Sequence, residues 1–198
     1  MRVRRCGKWL VWPLVAASSL VVPAHAAQVL GVHVTRAGER FLIGMRITIA
    51  APPAAVFRAL QDYSAMLRYN PDLRAVRVEP TAMTGRVRLF TTIHTCVLIF
   101  CKTMRQEEVM TATTNAQGGV LEATLLARGG SFKGGRGRWT VGPCPTDRSI
   151  TCMNARVELV PAFWVPPVIG PWVIRRKMVE EARRTSTGLE RIARRLAD

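Results

Sequence analysis

Residues 41–61 read FLIGMRITIAAPPAAVFRALQ, and the first half of this stretch alternates. Phe41, Ile43, Met45, Ile47 and Ile49 fall on one face, with Gly44, Arg46, Thr48 and Ala50 on the other and Leu42 a mild departure. A period of two with that contrast is the pattern of a half-buried strand. Ala51-Pro52-Pro53 ends the strand and starts a helix, because proline is welcome in a first helical turn. Ala54 to Gln61 are helix-forming residues, with Val56 and Leu60 one turn apart on a common face.

Downstream, Asp62-Tyr63-Ser64 can cap a second short helix that runs to Leu67 or Arg68 and is ended by Asn70-Pro71. Strands follow: Arg74–Pro80, then Thr84–Met110. The latter is too long for one strand and must fold back on itself. Val120–Ala127, Gly137–Val141 and Ser149–Val160 complete the series, and Gly129-Gly130 and Gly134-Gly135 mark turns or bulges. Pro171 opens a long helix with Ile174, Met178, Ala182, Thr185, Leu189, Ile192 and Leu196 on one face. Arg175, Arg183, Arg184, Arg191 and Arg194 lie on the other. Gly188 is a weak point in it, costing up to ~1 kcal/mol relative to alanine. This order predicts an α+β fold: a curved antiparallel sheet wrapped around the C-terminal helix, with a cavity between the two.

Upstream, Met1–Lys8 carries four basic residues and no acid, Trp9–Val22 is uncharged, and Pro23-Ala24-His25-Ala26 offers a small-x-small cleavage site. Residues 1–26 therefore read as a secretory signal cleaved after Ala26. The apolar run of 14 residues is shorter than the ~20 needed to span a bilayer. Residues 27–198 then form one domain, exported and periplasmic.

The chain has 29 Lys+Arg against 13 Asp+Glu. The leader holds four of the bases and no acid, so 25 face 13 in the remainder, a net +12. Nucleic acid is the reflex partner of such a chain, but export removes it. Anionic phospholipid is the fitter counter-surface, with simple solubility as the alternative. Past Cys6 in the leader, Cys96, Cys101, Cys144 and Cys152 remain. In an oxidising compartment they read as two disulfides, and of the three pairings the two local ones are favoured. A zinc site is the competing reading, but Cys-x-x-Cys spacing and a histidine pair are lacking.

Several stretches carry a family resemblance. Ile49-Ala50-Ala51-Pro52-Pro53-Ala54-Ala55-Val56-Phe57, Ala59-Leu60-Gln61-Asp62-Tyr63, Tyr69-Asn70-Pro71-Asp72-Leu73 and Phe163-Trp164-Val165-Pro166-Pro167-Val168-Ile169-Gly170-Pro171 resemble the START-like, or helix-grip, superfamily over about residues 40 to 195. That superfamily includes polyketide cyclases, lipid-transport proteins and the coenzyme Q-binding group. The resemblance implies the fold, but it does not choose between carrier and enzyme.

Chemistry is thinly represented. His33 and His94 are isolated, and Glu107-Glu108 point to opposite faces of a strand. No phosphate loop appears, so no cofactor and no metal is expected. The inward polar set open to a cyclase-like relative is Tyr69, Asn70 and either Arg88 or Arg105. The apolar features are stronger. A Cys96–Cys101 bridge would close a hairpin tip made of Val97, Leu98, Ile99 and Phe100; the alternative is that this run is strand interior. Phe163–Trp172 combines aromatics with prolines, and Arg175, Arg176 and Lys177 follow it. Contact with a membrane or lipid is preferred over simple packing on the sheet end.

The leading expectation is a carrier for a lipid, quinone or polyketide-like molecule. Its cavity is lined by Val56, Leu60, Leu67, Tyr69, Ile93, Trp139, Phe163, Met178 and Ala182. Its mouth or membrane contact is formed by Val97, Leu98, Ile99, Phe100, Trp164, Trp172, Arg175, Arg176 and Lys177. A cyclase- or hydrolase-type enzyme using the same cavity, and a membrane-surface module without an internal ligand, are the rivals.

Overall fold

The computed structural model describes residues 26–97, 100–128, 130–165 and 170–197. All but the last residue of the expected leader therefore lies outside the described residues, as do Leu98, Ile99, Gly129 and the stretch 166–169. The described residues form eight strands: β1 (Gln28–Ala37), β2 (Arg40–Ile49), β3 (Leu73–Pro80), β4 (Arg86–Val97), β5 (Phe100–Asn115), β6 (Gly118–Leu126), β7 (Phe132–Pro143) and β8 (Thr151–Pro161). The helices are α1 (Pro53–Gln61), a 3-10 turn (Tyr63–Ala65) running into α2 (Met66–Tyr69), and α3 (Gly170–Ala197). All neighbouring strands pair antiparallel, in the order β1-β2-β8-β7-β6-β5-β4-β3.

The strand read from residues 41–50 is β2, and the two prolines start α1 as expected. Asp62 accepts from the backbone N–H of Ala65 at 3.1 Å and so caps the following turn. The long segment after Thr84 folds back between Val97 and Phe100, which places the hairpin tip where the cysteines predict it and makes the strand-interior reading wrong.

Two elements depart from the sequence reading. An additional strand, β1, precedes β2. A bulge between Val29 and Gly31 brings Val29 opposite Ile47 and Val32 opposite Met45, so two inward residues stand three apart and the alternation is hidden. Strand β7 begins at Phe132 rather than near Gly137, because its first half is glycine-rich and bulged between Phe132 and Gly134.

The packed core sits at the α1 end. Ile49, Val56, Phe57, Leu89 and Leu189 are almost wholly enclosed there. Helix α3 is fixed to the β2–α1 corner through Glu190, which accepts from the Ala50 N–H at 3.3 Å, and Arg194, which donates to the Ala50 carbonyl at 2.9 Å. Those two side chains also pair with each other at 2.8 Å. Gly188 is not a flaw in α3. A Cβ there would stand 2.7 Å from the Cβ of Tyr69, so glycine is what lets α2 and α3 touch. Leu196, placed on the apolar stripe by periodicity, is exposed because the last turn of α3 runs past the core.

Candidate ligand site

Helix α3 packs on β1, β2, α1 and α2. The concave face of the middle strands is covered unevenly as a result. The alternation fixed by buried Leu89 and its register with β5 and β6 turns Thr91, Ile93, Met104, Gln106, Glu108 and Leu125 inward. Trp139 joins them from β7, opposite Leu121. Near α1 this surface is sealed. Farther along, Ile93, Met104 and Leu125 are only half-buried, as are Ile174 and Met178 on α3 and Phe163 beyond β8, while Trp139 is half-buried where it packs against the core. Large apolar side chains that turn inward without being fully enclosed are the kind that line an apolar ligand site.

Local packing explains the posture of two aromatics. The Trp139 indole lies over Gly137, where a Cβ would come within 2.4 Å of its ring. Phe163 is held by the Lys102 ammonium, 4.2 Å from its ring centroid, and by an edge contact with Phe132 at 6.4 Å.

A polar island lies within the apolar surface. Glu108 is buried opposite Leu89 and Leu125 and accepts from the Gln106 amide. Burial pushes its carboxyl up to about 7, with the Gln106 hydrogen bond acting in the opposite direction. Tyr63 is close enough that burial, aided by the Glu108 charge, pushes its phenol up to about 12. The Thr91 hydroxyl, across the strand pair from Gln106, is buried without a hydrogen-bond partner among the described residues.

A second network ties α3 to the turn between α2 and β3 and to β4. Lys177 pairs with Asp72 at 2.8 Å, Thr95 donates to the same carboxylate at 3.1 Å, and Asn70 donates to Glu181 at 3.0 Å. Burial, countered by the Asn70 hydrogen bond, holds the Glu181 carboxyl above its ordinary range.

The predicted lining divides accordingly. Ile93, Phe163 and Met178 are half-buried beyond the packed core, and Trp139 is half-buried at its edge. Val56 and Ala182 are core residues, and Leu60 packs against that core. Leu67 is a correction: it lies on the outer side of α2 and is exposed. Tyr69 is buried, but against Gly188 of α3. Of the polar set, Asn70 is spent on Glu181, while Arg88 pairs with Glu107 at 3.3 Å and Arg105 is exposed, both on the outer face. Glu107 and Glu108 do part to opposite faces. Strand alternation alone could not tell that the inner one would be a solitary buried acid.

At the expected mouth, Trp164 is 78% exposed and Trp172 57% exposed, with the Arg176 guanidinium 5.8 Å from the Trp172 ring. Arg175 donates to the Val32 carbonyl at 3.0 Å. Lys177 is a correction, since its ammonium turns inward to neutralise Asp72 instead of facing solvent. Val97 and Phe100 pair across the hairpin, while the predicted contacts Leu98 and Ile99 lie outside the described residues. No described helix is long and apolar enough to cross a membrane.

Both local disulfides form, Cys96–Cys101 and Cys144–Cys152. His94, Cys96 and Cys101 come together within 4.8 Å, but both sulfurs are bonded to each other, which leaves one imidazole and no zinc set. On the outer face of the sheet, a hollow of about 770 Å³ is lined by charged pairs such as Arg136–Glu158 at 3.0 Å, a wet surface unlike the apolar interior.

Comparison with solved structures finds the same architecture in proteins of low sequence identity. An aromatase/cyclase from Streptomyces sp. is 13% identical with a TM-score of 0.61, covering 80% of this chain and 96% of its own. A STAR-related lipid transfer protein from Xanthomonas axonopodis is 15% identical with a TM-score of 0.58, covering 83% and 99%. A START superfamily protein from Mycobacterium smegmatis is 14% identical with a TM-score of 0.55, covering 78% and 98%. Comparison by sequence with curated proteins finds no match. The fold is thus the START-like helix grip, and residues 40–197 match the family model described as polyketide cyclase / dehydrase and lipid transport. On that match, which spans most of the molecule from β2 to the end of α3, the chain belongs to the polyketide cyclase / dehydrase and lipid transport family.

Proposed function

We propose that this protein is an exported carrier that holds a lipid, quinone or polyketide-like molecule between the middle strands and α3. The observation that carries the reading is the set of inward apolar side chains left half-buried beyond the packed core, Ile93, Met104 and Met178, with Trp139 at the edge of that core. Burial of a guest against them supplies affinity at ~25 cal/mol per Å² of apolar area. The lipid-transfer and aromatase/cyclase proteins among the structural neighbours support a hydrophobic ligand. The leader sequence and the two disulfides support a periplasmic setting. Exposed Trp164 and Trp172 support peripheral contact with a membrane at the mouth.

A second reading, a cyclase acting in the same cavity, is favoured by Glu108 alone. A buried carboxyl that titrates near neutrality is suited to moving a proton.

Trp139 reports on occupancy directly. In the exported form of a Trp164→Phe/Trp172→Phe variant, it is the sole tryptophan outside the leader. Titration with a ubiquinone is expected to quench it saturably, with one molecule bound per protein. Quenching no steeper than that of free tryptophan in solution contradicts the carrier reading.

A further inference from the structure

The α2–α3 junction forms a second concavity, on the far side of α3 from the apolar interior. It is a cleft of about 470 Å³, with Leu67, Tyr69 and Pro71 along one side and Arg68 at its edge. Arg183, Arg184 and Arg191 of α3 face them, with the Thr187 hydroxyl between. The close approach that Gly188 allows at Tyr69 closes the bottom of the cleft and sets the two helices side by side.

Charge in this cleft is unbalanced. Arg68 has Asp62 at 3.4 Å and Arg184 has Glu180, but among the described residues no carboxylate pairs with Arg183 or Arg191. These two arginines stand eight positions apart on one face of α3, two turns of helix with Thr187 midway. Leu67, 45% exposed, adds a large apolar side chain beside the guanidinium groups. Cationic groups next to exposed apolar surface match an anionic phospholipid: the headgroup phosphate meets arginine forks and the first acyl segment meets Leu67. The same exposed face of α3 runs back through Arg176 to Trp172, so one helix face presents aromatic and cationic groups along its length.

We infer that the α2–α3 cleft is an anionic-phospholipid contact site, by which the protein lies against a negatively charged membrane. It is separate from the interior ligand site and does not depend on it.

The test is cosedimentation of the exported protein with vesicles of phosphatidylcholine alone or with phosphatidylglycerol added. Saturable binding is expected only with the anionic vesicles, weakening as salt rises. Arg183→Ala/Arg191→Ala is expected to reduce it roughly thirty-fold, since each basic residue near such a surface contributes about a factor of five. Thr187→Glu, which places a carboxylate in the cleft without removing an arginine, is expected to do the same. Arg136→Ala/Arg156→Ala removes equal charge from the outer sheet face and is expected to change binding by about twofold or less. Equal losses in the two double variants, or none in either, overturn the inference. So does saturable binding of inorganic phosphate in the cleft without vesicle binding, which would make it a site for a free anion. Loss of vesicle binding in Trp164→Ala/Trp172→Ala with Arg183→Ala/Arg191→Ala unaffected would also overturn it, by moving the contact to the mouth.

Discussion

Ile93→Phe combined with Met178→Phe is expected to weaken uptake of a long-chain quinone by roughly a hundredfold while leaving thermal stability within about 3 °C. Both positions turn toward the interior and both are half-buried. If the proposed ligand lies there, extra ring volume at these positions takes up ligand space and not a filled core. Phenylalanine at two such sites displaces ligand contact of roughly 100 Å², which at ~25 cal/mol per Å² is roughly 2.5 kcal/mol, close to a hundredfold in affinity. The stability half of the prediction is as informative as the binding half. In a filled core the same enlargements would cost about 1–3 kcal/mol each and lower the melting temperature plainly. Quinone titration and thermal melting on the same samples read both outcomes. A large fall in stability with unchanged uptake contradicts the proposed location.

Glu108→Gln is expected to stabilise the protein at pH 8 by about 3 kcal/mol and to do little below pH 4.5. Burial raises this carboxyl from its ordinary 4.5 to about 7 in the folded state. Between those values the folded protein keeps a proton that the unfolded chain has released. Stability is therefore greatest below the unfolded value and falls as pH rises toward 7. Glutamine keeps the shape and the partnership with Gln106 but has no charge to bury. Glu181 is shifted in the same direction, so some slope persists in the variant. Urea denaturation of wild type and variant at intervals from pH 4 to pH 8 measures the difference. Parallel curves would falsify the assignment of Glu108 as a buried, titrating acid.

The fold was legible wherever alternation was clean and turn chemistry was strong. Residues 41–61 specified β2 and α1, the paired cysteines located the β4–β5 hairpin, and the apolar stripe of α3 announced its length. The readings failed where periodicity was broken. The β1 bulge put Val29 and Val32 out of step, and the glycines of β7 carry no pattern to read. Of the proposed lining, Ile93, Trp139, Phe163 and Met178 are half-buried, the exposure that a ligand-lining side chain requires. Leu67 escaped correct placement because a one-turn helix has too few residues to define a face. Lys177 did so because its partner, Asp72, lies far away in sequence. Glu108 is the most instructive omission. Its neighbours on the strand locate it on the inner face, but its isolation there depends on Leu89 and Leu125 arriving from two other strands.

An apolar molecule held between the middle strands and α3 would add its mass to the folded protein. Native mass spectrometry of residues 27–198, first as purified and then after exposure to phospholipids and ubiquinones, reads this without a label. The account predicts a discrete mass increment of one bound molecule in at least one of these states, absent from Ile93→Phe/Met178→Phe. A protein that stays at its bare mass under every condition, although folded and disulfide-bonded, would contradict the account.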